Sequence, residues 1–382
     1  MKVVIAPDSF KDAIRASTAV NRIARGLRSV MPDLVVEGCP IADGGEGFTE
    51  AITFNHPKAK RCSTTTKDPL GRVIEHKLWV MLQDENGDPH TAVIELATAS
   101  GLELLSLHER DPMRTSTFGT GRMIDDAIDK GAKHVLLGIG GSATSEAGIG
   151  IAHALLVRLK NYKGKMFKVW MDASMMKKIV KIDPGSILLD EGVSLTVACD
   201  VTNPLTGPNG AAHVYAPQKG ATPEQVEQLD ASLRHMAQLW RDQLGIDVEE
   251  MPGAGAAGGV GGGMVAMLGA KLVPGAELVL DTIGFDERIK DADLVITGEG
   301  RLDSQSLQGK AAMAVAKRCK LAGVPCVALV GSVGEGAEQA LEHGLSAYHV
   351  IGEGLPPEES IRRTGELLEQ AAVKLAQERL LD

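Results

Sequence analysis

Glycine collects where short apolar runs end, in three blocks: Gly138-Ile-Gly-Gly-Ser-Ala-Thr144, Gly253-Ala-Gly-Ala-Ala-Gly-Gly-Val-Gly-Gly-Gly263 and Gly298-Glu-Gly-Arg-Leu-Asp303. The first and third follow the runs Val135-Leu-Leu-Gly-Ile139 and Leu294-Val-Ile-Thr297. A buried strand, then glycines, then a helix of small residues is how a parallel sheet offers backbone N–H groups to an anion. Without a Cβ the backbone turns sharply and comes close to a phosphate. A tight turn accounts for any one block. Three blocks with Asp, Glu, Lys and Arg beside them point to an enzyme that handles phosphate.

The chain has 382 residues. At roughly 100–200 residues per domain, two domains are expected. Its net charge is −10 and only 3% of residues are aromatic. Neither a basic groove nor a stacking platform is visible, so a nucleic-acid partner is not expected. An acidic total leaves room for an anionic substrate, because charge inside a cleft is local. The five cysteines, Cys39, Cys62, Cys199, Cys319 and Cys326, form no Cys-x-x-Cys pair and read as reduced thiols. Met1-Lys-Val-Val-Ile-Ala-Pro7 reads as a strand, not a signal peptide. No apolar run approaches the ~18–20 residues that span a bilayer. A cytoplasmic protein without membrane partners is expected.

Val3–Ala6 is a strand stopped by Pro7, and Ser17 is the expected N-cap of the helix that follows. Two strands, Lys77–Leu82 and Ala92–Ala97, flank a turn at Asp84-Glu-Asn-Gly-Asp88. Strands at Leu195–Cys199, Leu294–Thr297, Cys326–Val330 and Ala347–Ile351 alternate with helices. Thr222-Pro-Glu-Gln225 is a capping box that opens a helix to about Leu244. Such alternation predicts an α/β fold with parallel sheets. The expected architecture is a discontinuous Rossmann-like domain of residues 1–67 and 285–382, with a second α/β domain of residues 68–284 inserted in it.

Asp8, Asp43, Glu46, Asp200, Glu299 and Asp303 all fall in glycine-rich or post-strand loops. Phosphoryl transfer uses carboxylates to hold a cation and to orient or deprotonate a hydroxyl. It also uses cations on the transferring group, and Lys11, Lys219, Arg301 and Lys310 lie in similar loops. Asp43 and Asp200, flanked by small or apolar residues, are the favoured carboxylates. Asp200 is expected to act as base or metal-orienting group, and Arg301 and Lys11 to stabilise phosphoryl charge or hold a substrate carboxylate. Gly253-x-Gly-x-x-Gly258 also matches the dinucleotide fingerprint, which keeps a dinucleotide-dependent oxidoreductase as an alternative. There is no Walker-type P-loop, His-Glu-x-x-His or Gly-x-Ser-x-Gly motif.

Six blocks, taken in order, resemble the two-domain, type I glycerate kinases of bacteria. They are Ile5-Ala-Pro-Asp-Ser-Phe-Lys11, Ala42-Asp-Gly-Gly-Glu-Gly47, Gly138–Thr144, Ala198-Cys-Asp-Val-Thr-Asn-Pro-Leu205, Gly253–Gly259 and Thr297-Gly-Glu-Gly-Arg-Leu-Asp-Ser-Gln-Ser306. Pro217-Gln-Lys-Gly-Ala221 fits as well. The resemblance implies ATP-dependent phosphorylation of D-glycerate with Mg²⁺, usually at the 2-hydroxyl, in a site between two α/β domains. By loop position and residue type, Gly140, Gly141, Ser142, Gly255, Gly258, Gly259, Gly298 and Gly300 are expected to serve the nucleotide, in regions that the resemblance supports. Asp200, Glu299 and Asp303 are the expected metal carboxylates.

The chain departs from the family pattern at Ser145-Glu-Ala147 and at Ala311-Ala312. It departs again between Lys160 and Ser186, where apolar residues alternate with seven lysines in place of a glycine-rich loop. A catalytically silent, ligand-binding relative is the second alternative. The Lys160–Ser186 stretch is expected to be a peripheral flap or edge.

Overall fold

The computed structural model describes residues 1–167, 170–183 and 192–379. The strands in chain order are β1 (Lys2–Pro7), β2 (Val35–Gly38), β3 (Ala59–Lys67), β4 (Val73–Gln83), β5 (Pro89–Glu95), β6 (His134–Gly138), β7 (Arg158–Asn161), β8 (Ile179–Asp183), β9 (Ser194–Ala198), β10 (Lys271–Val273), β11 (Leu294–Leu302), β12 (Cys326–Val333) and β13 (Ala347–Val350). The chain divides into two compact units. One comprises Met1–Asp43, Glu50–Pro57 and Pro274–Asp382, the other Gly44–Thr49 and Lys58–Val273. These divisions lie about ten residues before the expected ones. The reason at the first is β3, which pairs antiparallel with β4 and so belongs to the second unit's sheet.

In the first unit a parallel sheet runs β13-β12-β11-β1-β2. β1 is a continuous apolar run because it lies mid-sheet, with Val3, Val4 and Ile5 wholly buried. The helix Ala16–Val30 packs Ala19, Val20, Ile23 and Leu27 into this core beside Leu368 and Ala372 of the helix Pro357–Arg379. Ser17 does not cap that helix. The helix begins one residue earlier, and the Ser17 hydroxyl bonds to Glu50 instead. The third glycine block also differs from its expected place in a loop. β11 continues through Gly298 and Gly300 because β12 pairs with it as far as Leu302↔Val333. A Cβ at Gly298 would lie 2.3 Å from the Leu329 carbonyl oxygen.

In the second unit the sheet runs β10-β9-β6-β5-β4-β3, parallel from β10 to β5 and antiparallel from β5 to β3. Its core gathers Trp79, Ile94, Met123, Leu137, Leu233 and Trp240. The helix Pro223–Leu244 begins as its capping box predicts. The Thr222 hydroxyl accepts from Gln225 N at 3.3 Å, and the Gln225 side chain accepts from Thr222 N at 2.9 Å.

The stretch from Lys160 is more firmly seated than a flap. β7 and β8 pair antiparallel, and Met171, Met176 and Ile179 are wholly buried. Lys168, Val169 and the expected end of the stretch at 184–186 lie outside the described residues. Lys163 and Lys165, by contrast, are exposed in the turn after β7. Under native conditions trypsin is expected to cut at this turn before it cuts at Lys177 or Lys178, which are held near the buried methionines. Mass spectrometry of the first fragments tests the order. An intact turn after the core is cut would overturn it.

Candidate active site

The first unit's sheet has its topological switch between β1 and β11. From β1 the chain moves to β2 on one side, and from β11 to β12 and β13 on the other. Ligands of open parallel sheets bind beyond the carboxyl ends of strands at such a switch. There, Asp8 follows β1 and donates its N–H to the Gly298 carbonyl at 2.8 Å. Cys39 N and Ile41 N bond to the Ile5 and Pro7 carbonyls, which carries Asp43 alongside. Glu299, on β11, is 7% exposed.

Three carboxyl groups therefore gather there, Glu299 buried and Asp8 and Asp43 half-buried. Burial pushes Asp8 up to about 8, with Asp43 and then Glu299 adding to it, while the Ser9 N–H at 2.6 Å opposes. Burial likewise pushes Glu299 up to about 7, with Asp303 and Asp43 adding, and with Ser306 and Lys310 opposing. Glu299 Oε1 is buried without a hydrogen-bond partner. A buried, unpartnered carboxylate oxygen is costly unless something binds it. Arg301 is largely exposed, with its Nε 3.1 Å from Asp303 Oδ2. Lys11 is exposed in the turn above Gly300, where a Cβ would lie 3.5 Å from Lys11 N.

In the second unit Asp200 lies two residues beyond the end of β9, and its Oδ2 is shielded from solvent. The Gly44–Thr49 stretch covers the neighbouring strand ends. Gly140 N bonds to the Gly44 carbonyl at 3.2 Å, and a Cβ at Gly140 would lie 2.4 Å from Gly45 Cα. Glu46 is carried on this stretch. Gly141 is the exposed apex of the turn after β6, with φ +70°. Ser142 beneath it is buried and accepts a hydrogen bond from Lys219 Nζ at 2.8 Å.

The second glycine block is packed against the chain itself. Ala257, Gly258 and Gly259 are left-handed within the helix Ala256–Leu268. A Cβ at Gly255 would meet the Pro204 carbonyl at 2.2 Å, and one at Gly258 the Thr144 carbonyl at 2.1 Å. No strand leads into Gly253, so the dinucleotide fingerprint lacks the strand–turn–helix context that gives it meaning.

Glu146 has a structural place. It is fully buried and accepts from Thr117 N at 3.1 Å, Thr117 Oγ1 at 2.5 Å and Gly150 N at 2.9 Å. Sequence reasoning placed Asp8 and Lys219 among the loop charges suited to phosphoryl transfer but gave neither a role. The one available signal for Asp8 was its position directly after a buried strand. The burial of Lys219 was not legible, because it depends on the distant turn at Ser142.

Among the described residues, no group of three or more His, Cys, Asp and Glu side chains is arranged to hold a metal ion, and no helix is long and apolar enough to cross a membrane. The five cysteines are free thiols.

Comparison with known proteins agrees with this geometry. The model of the glycerate kinase family matches residues 3–379. A glycerate kinase of Halalkalibacterium halodurans is 44% identical over 98% of this chain and 97% of its own. A glycerate 2-kinase of Escherichia coli K12 is 40% identical over 92% of this chain and 90% of its own. A crystal structure from Salmonella typhimurium LT2, assigned as a glycerate kinase 2, superposes with a TM-score of 0.84 at 37% identity, covering 99% of this chain and 97% of that one.

Proposed function

Because the chain belongs to the glycerate kinase family, we propose that it transfers the γ-phosphoryl of ATP to a hydroxyl of D-glycerate, the 2-hydroxyl as in the E. coli relative's name. Among the observations on geometry, the one that carries this reading is the group of carboxyl groups at the switch point of the first sheet, buried Glu299 with half-buried Asp8 and Asp43. Phosphoryl transfer asks little covalent chemistry of a protein and much positioning and charge compensation. Carboxylates crowded in a half-buried site suit an oxygen-seeking cation and a hydroxyl that must lose its proton.

Mg²⁺ fits the residues present. The donors are hard carboxylate oxygens, and Glu299 Oε1 is buried with no protein partner. We assign Glu299 and Asp303 of the first unit to hold it, since Mg²⁺ usually takes one or two carboxylates together with substrate phosphates and water. When bound, it neutralises charge on the nucleotide phosphates. Asp200 deprotonates or orients the attacking hydroxyl, and Asp43 is the other carboxylate suited to that role. Arg301 and Lys11 present positive charge to the transferring phosphoryl or to the glycerate carboxylate. The turn Gly140–Ser142 takes the nucleotide phosphates. The remaining glycines, Gly255, Gly258 and Gly259 in the second unit and Gly298 and Gly300 in the first, let backbone segments of their own unit approach closely.

Incubation of the folded protein with MgATP and D-glycerate, followed by phosphorus NMR, tests the reading. The expected product is 2-phosphoglycerate. Formation of 3-phosphoglycerate would overturn the regiochemistry alone. Nucleotide binding without any phosphoglycerate would overturn the activity.

Arg301→Ala is expected to lower turnover by about 10²–10³, the usual cost of removing one donor aimed at developing charge. Arg301 is a surface residue with one ion pair, so its loss should move stability little. Arg301→Lys should restore activity only in part, since an ammonium cannot make the paired contacts of a guanidinium. Equal activity of the Arg and Lys forms would exclude a two-point contact.

A further inference from the structure

The turn after β6 rests on a buried amine. Lys219 ends the short turn Pro217–Lys219 and is 2% exposed. Its Nζ donates to Ser142 Oγ at 2.8 Å and to the Thr144 carbonyl at 2.6 Å. Gly220 carries the chain away with φ +95°, packed so tightly that a Cβ would lie 2.2 Å from the Arg110 carbonyl oxygen. Beside these bonds, Thr144 Oγ1 and Ser145 Oγ are buried with no hydrogen-bond partner. A cation under an exposed glycine apex, with two unused hydroxyls next to it, has the chemistry of an anion site approached from its buried side.

We infer that Lys219 is a positioning residue for the nucleotide, its ammonium shaping the Gly140–Thr144 turn and placing positive charge beneath the phosphates, so that nucleotide binding and protonation of this amine are coupled. The inference rests on the assignment of Gly140–Ser142 to the phosphates made above. Burial pushes the Lys219 amine down to about 7, and Glu146 opposes that shift. Glu146 faces it from the β6 loop. Arg110 packs its carbonyl under Gly220, Asp111 accepts from Gln225 of the helix Pro223–Leu244, and His213 of the helix Ala211–Tyr215 pairs with Glu227. In the unliganded protein the amine therefore loses its proton as pH rises through about 7. A bound phosphate favours the ammonium and raises that value. Binding above neutrality then takes up a proton, and affinity falls with rising pH by up to about tenfold per pH unit.

The test is calorimetric titration of MgATP, without glycerate, at about pH 8 in two buffers of different ionisation enthalpy. Wild-type protein should take up at least about 0.4 proton more than Lys219→Met, approaching about 0.9 as the shift on binding grows past two pH units. Carboxyl groups elsewhere contribute to both proteins and cancel in the difference. A zero difference with binding intact overturns the inference and leaves the nucleotide assignment standing. Failure of folded wild-type protein to bind MgATP overturns both.

Lys219→Met can unfold the chain, so a second readout uses wild-type protein alone, isotope-labelled at lysine Cε. One lysine should titrate near pH 7 in free protein and at least about one pH unit higher with MgADP. If every lysine titrates near its ordinary value in both states, the inference fails.

Discussion

Replacing Asp200 with Asn is expected to leave the second unit folded and to slow phosphorylation by about 10²–10⁴, the usual contribution of a positioned acid–base group. Asp200 stands beyond the carboxyl end of β9, within the parallel part of its sheet, where the ligands of such sheets sit. Its Oδ2 is shielded from solvent. Asn keeps the volume and one acceptor but removes the charge. An effect on turnover with a small change in the KM for either substrate identifies a group that acts mainly in the transition state. The measurement is steady-state ADP release with MgATP and D-glycerate. Turnover near that of the parent would reassign Asp200 to holding the loop, and Glu299 and Asp43 would become the carboxylates to replace next.

The second large effect is on stability. Gly258→Ala is expected to cost about 2–5 kcal/mol, the sum of a strained left-handed alanine and an overpacked core. Gly258 has φ +71°, and its Cβ would stand 2.1 Å from the Thr144 carbonyl oxygen and 2.5 Å from Ser145 Cα. Both neighbours are backbone or backbone-bound, so neither can swing aside. Gly269→Ala is the control. It has φ +65° at the end of the same helix, with nothing within 4 Å of its Cβ position. It should therefore cost only about 1 kcal/mol, from conformation alone. Urea unfolding of the two variants separates the terms. Equal midpoints would mean that the 253–263 segment shifts to make room, and that its glycines are not packing devices.

Local chemistry was legible in the sequence and distant partnership was not. Thr222, Pro223 and Gln225 specify a helix start among themselves, and the structure has it there. Val3–Ala6 reads as a buried strand because the run is wholly apolar and Pro7 closes it. Ser17 fails as a cap because Glu50, far along the chain, takes its hydroxyl. Gly298 and Gly300 read as loop because glycine follows an apolar run. They are strand because β12 lies alongside and its Leu329 carbonyl leaves no room for a side chain. Asp43 and Glu299 were recognisable as loop carboxylates. Their gathering around Asp8 depends on a sheet order that joins the chain's two ends.

That sheet order also sets a timetable for biosynthesis. β1 is the first strand to be made and lies between β2 and β11, and Ala6 accepts from Thr297 across 291 residues of chain. At ~5–20 residues per second, that partner arrives roughly 15–60 s later. The second unit is made almost entirely from one uninterrupted stretch, Lys58–Val273, and has all its sheet strands before β11 exists. Through that interval the nascent chain carries an apolar strand with one of its two neighbours missing. Ribosome-bound chains stopped near residue 280 should accordingly yield a protease-resistant fragment from the second unit and a rapidly cleaved N-terminal segment, the segment most in need of chaperone cover while the rest of the polypeptide is being made.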